Sequence, residues 1–75
     1  MSDFKYELKE HIAVIGVPEK QDWRKELNII SWNDKEPVYD LRPWSKGHEK
    51  MGKGISFTKE ELLSLNETLT RILSE

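Results

Sequence analysis

Three stretches of this chain alternate apolar and polar residues, and a fourth repeats apolar residues at spacings of three and four. Alternation with period two is the mark of a half-buried strand, and the longer spacing is the mark of an amphipathic helix. Phe4, Tyr6 and Leu8 alternate with Lys5, Glu7 and Lys9, and the run closes on Ile12-Ala13-Val14-Ile15. This predicts a first strand over residues 4–15, although Tyr6-Glu7-Leu8-Lys9-Glu10 would also suit a helix. Residues 16–22, with Gly16 and Pro18, read as a connection. Residues 23–32 predict a second strand, with Leu27 and Ile29 on one face and Asn28, Ile30 and Trp32 on the other. Residues 33–37 read as a hairpin-like loop, and residues 38–44 as a third strand. In that strand Tyr39 and Leu41 oppose Val38, Asp40, Arg42 and Trp44. A polar, flexible loop is expected over 45–52. A short fourth strand follows over 53–57, with Ile55 and Phe57 facing the core.

The last element is the most sharply marked. Thr58-Lys59-Glu60-Glu61 is a capping box, with Thr58 as N-cap and Glu61 as its reciprocal partner. Leu62, Leu65, Leu69 and Ile72 follow on one face, and Leu63 and Leu73 widen the stripe. Four strands followed by one helix make an α+β domain with a meander-like antiparallel sheet.

Length sharpens the picture. At 75 residues one domain is the limit, and its core is marginal unless something adds to it. With no cysteine, disulfides and thiolate metal sites are excluded. His11 and His48 share no metal-like spacing, so no metal or other cofactor is expected. Oligomerisation remains as the source of extra core. No apolar run reaches the length of a membrane span, and the N-terminus has no signal-peptide pattern. A soluble, cytoplasmic protein is expected.

A net charge of −2 argues against nucleic acid, but the distribution does not. From 41 to 57 the cations are Arg42, Lys46, Lys50 and Lys53, against Glu49 alone. Local arrangement, not the sum, sets the field. Arg42 and Trp44, two apart, project from one face of the third strand. An aromatic ring among cations suits unpaired nucleic acid, because bases stack on the ring and phosphates meet the charges. Tryptophan in a small domain is more often core. Trp44 departs from that expectation because Asp40 and Arg42 share its face, which predicts an exposed ring. Trp32 ends its strand at a polar turn, and Trp23 is assigned to neither role. Asp40 reads as an ion-pair partner of Arg42 rather than a catalytic acid, and His48 as a solvated histidine. Without a thiol nucleophile, a GxSxG elbow or a P-loop, no enzyme is expected.

Asp40-Leu41-Arg42-Pro43-Trp44, a basic loop, then Gly52-Lys53-Gly54-Ile55-Ser56-Phe57-Thr58-Lys59-Glu60-Glu61-Leu62 resembles the transcriptional positive cofactor 4 domain, most closely its small bacterial branch. The resemblance spans roughly residues 23–73. It implies a strongly curved four-stranded antiparallel sheet followed by one helix. It also implies a homodimer through helix packing, whose paired ridges hold single-stranded DNA. By the same resemblance Arg42 and Trp44 match a strand arginine and a base-stacking tryptophan, and Lys53 a phosphate contact. Trp32 matches the aromatic residue at the second hairpin, and Lys35 the lysine after it. The expected nucleic-acid-binding set is therefore Trp32, Lys35, Arg42, Trp44, Lys46, Lys50 and Lys53. Single-stranded RNA is admitted as well, since no feature selects against a 2′-hydroxyl. The alternative is a protein-interaction module whose leucine stripe recruits a partner and whose basic loop meets an acidic surface.

Overall fold

The structure, a computed structural model, describes residues 5–16 and 22–74. Four strands run in chain order: β1 (Tyr6–Ile15), β2 (Trp23–Trp32), β3 (Val38–Ser45) and β4 (Ile55–Phe57). They form one antiparallel meander with each strand beside the next, and helix α1 (Lys59–Leu73) follows. This is the α+β architecture expected from the hydrophobic pattern. Phe4, expected to open the first strand, and most of the expected connection at 16–22 lie outside the described residues.

The sheet is strongly bent. Tyr6 pairs with Trp32 at one end of β2, while Trp44 pairs with Arg24 at the other. Those two β2 positions would be about 26 Å apart on a flat strand. Yet the Tyr6 and Trp44 rings lie 5.6 Å apart. The face they share must therefore be concave. Two register shifts in β1, between Leu8 and Glu10 and between His11 and Ala13, fit this bend. A bulge adds a residue to one strand and increases local twist. The first bulge also brings His11 opposite Asn28, on the concave face.

Turns are set by local chemistry. Asn33 (φ 52°) and Asp34 (φ 64°) both adopt left-handed backbone, and the Lys35 N–H donates to the Trp32 carbonyl at 2.9 Å. Positive φ at both central residues is the type I′ turn, which Asn and Asp tolerate best. The connection over 45–52, expected to be flexible, is instead an ordered hairpin. The Ser45 N–H donates to the Lys50 carbonyl, the Gly52 N–H donates to the Pro43 carbonyl, and Trp44 bridges to Met51. Gly52 and Gly54 let this hairpin close. A Cβ at Gly52 would sit 2.7 Å from Pro43 Cγ. One at Gly54 would collide with Arg42 Cβ and lie 2.5 Å from the Leu41 carbonyl oxygen. These glycines press the segment carrying Lys53, which was expected to open the fourth strand but precedes β4, against β3.

The capping box at the start of α1 is complete. The Glu61 N–H donates to Thr58 Oγ1 at 3.1 Å, and the Thr58 N–H donates to Glu61 Oε1 at 2.9 Å. Glu60 and Glu61 in the first turn and Arg71 in the last complement the helix dipole. The helix rests on β3 and β4 but buries none of its residues fully. Between it and the convex face of the sheet is a groove of about 360 Å³, lined by Leu27, Tyr39, Leu62, Leu65 and Leu69 among others.

Candidate nucleic-acid interface

The concave face is built from side chains that alternate onto it: Glu26, Asn28, Ile30 and Trp32 from β2, and Asp40, Arg42 and Trp44 from β3. Asp40 is fully buried. Its carboxylate accepts from Arg42 Nε at 2.6 Å and Arg42 Nη2 at 2.8 Å, and Ser56 Oγ donates to it at 3.0 Å. The Arg42 side chain is only 15% exposed. Its guanidinium carbon lies 4.5 Å from the centre of the Trp32 ring, and Nη1 leans on the Gly52 carbonyl at 3.4 Å. The expected Asp40–Arg42 pair is present, within one strand. Arg42, expected as a phosphate contact, has two of its guanidinium nitrogens engaged by Asp40 and is mostly buried. What Arg42 does is hold Trp32 by a cation–π contact.

The exposure expected of Trp44 is corrected. Trp44 is 1% exposed, whereas an open stacking ring was expected. Its charged neighbours did not keep it at the surface because they satisfy each other. The Trp44 ring is packed between Tyr6 at 5.6 Å and His48, which stacks on it at 4.5 Å and 14°. His48 is exposed, as expected of a solvated histidine, but it is also engaged. Its Nε2 lies 2.9 Å from both carboxylate oxygens of Glu26, itself buried. Gly47 (φ 78°) and His48 (φ 61°) form the left-handed backbone that folds the imidazole over Trp44. His11 approaches the same carboxylate from β1, at 3.5 Å, and bonds Asn28 Oδ1 at 2.7 Å. Sequence reasoning missed this Glu26–His11–His48 support, since the three residues meet only through the bend and a bulge.

Trp32 is half-buried at the end of β2, on the concave face. Lys35, Lys46, Lys50 and Lys53 are all exposed. Lys35 follows the type I′ turn, three residues from Trp32. Lys53 lies between Gly52, which closes on Pro43, and Gly54, which closes on Arg42. Lys46 and Lys50 are on the hairpin that carries His48. Of the expected set, the structure leaves Lys35, Lys46, Lys50 and Lys53 exposed and Trp32 and Arg42 half-buried, and it buries Trp44.

A family model described as Transcriptional Coactivator p15 (PC4) matches residues 20–68. The chain belongs to the PC4 family. PC4 proteins are single-stranded DNA-binding coactivators, a nucleic-acid-binding rather than an enzymatic family. A protein of Treponema pallidum (strain Nichols) described as uncharacterized is 37% identical over 67 residues, covering 89% of this chain and 78% of its own. The PC4 match begins at residue 20, so all of β1, with Tyr6 and His11, lies outside it. Among the described residues no helix is long and apolar enough to cross a membrane, and no cluster of His, Asp and Glu could hold a metal ion.

Proposed function

We propose that this chain binds single-stranded DNA without sequence preference, as a homodimer. The observation that carries the reading is the Trp32 ring, gripped by Arg42 on a concave face fringed by four exposed lysines, in a PC4 family member. Bases stack on Trp32, while Lys35, Lys46, Lys50 and Lys53 meet phosphates. Stacking suits any base, and nothing on the face reads a base edge, so little sequence preference follows. Single-stranded RNA is accepted by the same contacts.

The dimer part of the reading rests on the other face. Leu63, Leu69 and Ile72 are between two-fifths and slightly over half exposed, and Leu73 is 78% exposed. With the groove beside them, they form an apolar surface larger than a 75-residue monomer covers alone. A second copy packing helix against helix would bury it and pair two concave ridges in one particle.

The test is fluorescence anisotropy of a labelled oligo-dT of about 20 nucleotides, with duplex of the same length as competitor. Four phosphate contacts per ridge predict a slope of log affinity against log salt of about −3. Equal affinity for duplex, or no binding at low salt, would overturn the reading. The competing protein-interaction reading, which draws on the same open helix stripe, predicts that second result.

A further inference from the structure

The concave face contains a row of aromatic rings that the DNA-binding reading does not fully use. Trp32 lies 5.7 Å from Tyr6, Tyr6 lies 5.6 Å from Trp44, and Trp44 stacks on His48 at 4.5 Å. Within the row Trp44 is sealed, whereas Tyr6 is 40% exposed. Its position is held from both sides. In the register of the sheet it pairs directly with Trp32. Just before it, the Lys5 N–H donates to Asn33 Oδ1 at 2.9 Å and the Asn33 N–H donates back to the Lys5 carbonyl at 2.8 Å. Lys5 Nζ also lies 2.8 Å from Asp34 Oδ2, a hydrogen-bonded ion pair that raises the Lys5 pKa. The start of β1 is thereby fastened to the type I′ turn that also carries Trp32 and Lys35.

Resting on the DNA-binding reading, we infer that Tyr6 is a second base-stacking residue, forming with Trp32 a two-ring platform for successive nucleobases. Trp44 and His48 are the foundation beneath it. Three properties of the site support this assignment. The exposed Tyr6 ring and the half-buried Trp32 ring are neighbours across one strand pair. Both are backed by packed aromatic or guanidinium groups, so neither ring must be ordered on binding. And Lys35 is on the same turn, where a phosphate following the stacked bases would meet it.

Two measurements on the full chain test it. The first is oligo-dT anisotropy for Tyr6→Leu, Tyr6→Phe and Trp32→Ala. Leucine keeps apolar packing against Trp44 but removes the flat ring. Tyr6→Leu is expected to weaken binding roughly tenfold with an unchanged salt slope, and Tyr6→Phe to bind as the parent does. The second is photocrosslinking to an oligonucleotide containing 5-iodouracil, followed by peptide mass spectrometry, which should place adducts on Tyr6 as well as Trp32. Near-ultraviolet dichroism of Tyr6→Leu should retain the Trp44 signal. If Trp32→Ala loses affinity while Tyr6→Leu binds normally and no adduct forms on Tyr6, the inference fails and the DNA-binding reading stands. If the parent binds no oligonucleotide at low salt, both fall.

Discussion

The concave face of the sheet carries Glu26, Asn28, Asp40 and Arg42, yet it holds the most buried side chains of the chain. The convex face carries Leu27, Ile29, Leu41 and Phe57, and all four are only half-buried. The usual relation between polarity and burial is inverted across one layer. On the concave side carboxylates are partnered before they are buried: Asp40 by the Arg42 guanidinium, and Glu26 by ring nitrogens of His48 and His11. That pairing lets the bend close over polar groups and leaves Trp32 and Tyr6 at the opening. On the convex side a single helix covers too little of the sheet and leaves apolar surface exposed, the surface that the proposed dimer would bury. One face is finished within the chain, and the other is left open.

The largest expected effect breaks the concave side. Asp40→Ala would strand a guanidinium that is mostly buried, at a cost of about 3–5 kcal/mol, and should be read by urea unfolding. A loss below about 1 kcal/mol would mean that the pair does not hold the face together. Leu69→Asp breaks the convex side. It should shift the particle from dimer to monomer in light scattering and weaken association by about 3 kcal/mol or more, while the monomer keeps its sheet. An unchanged mass would remove this face from the dimer. Gly54→Ala attacks the link between β4 and Arg42. The added Cβ should cost about 1–3 kcal/mol in chemical denaturation. Smallest is Lys53→Ala, which should leave stability within about 0.5 kcal/mol and lower the salt slope of DNA binding by about 0.7.

Much of this was legible in the sequence. The bounds of β2 and the capping box of α1 follow the pattern, because alternation and helix spacing are local signals. The family motif is legible too, and the structure supplies its physical reason. Lys53-Gly54 is constrained because Gly54 touches the Arg42 backbone, and Asp40 and Arg42 are constrained by each other. What sequence could not supply is long-range. Neighbour polarity suggested an exposed Trp44, but a charged neighbour predicts exposure only when it lacks a partner. The bulges in β1 change which residues face inward without changing composition, so the place of His11 was hidden. Tyr6 was read only as one tooth of an alternating strand, since the bend that brings it to Trp32 and Trp44 leaves no trace in its own segment.

The measurement that tests the account most directly is a titration of intrinsic tryptophan fluorescence with oligo-dT of about 20 nucleotides, for the parent chain and for Trp32→Phe. Trp44 is sealed and Trp23 lies on the convex face, so Trp32 should carry the signal. The account predicts strong quenching of the parent by the single strand, little by duplex, weakening as salt rises, and loss of most of the quenching in Trp32→Phe. Quenching that survives in Trp32→Phe would move the DNA to another surface, and no quenching at low salt would contradict single-strand binding by the concave face altogether.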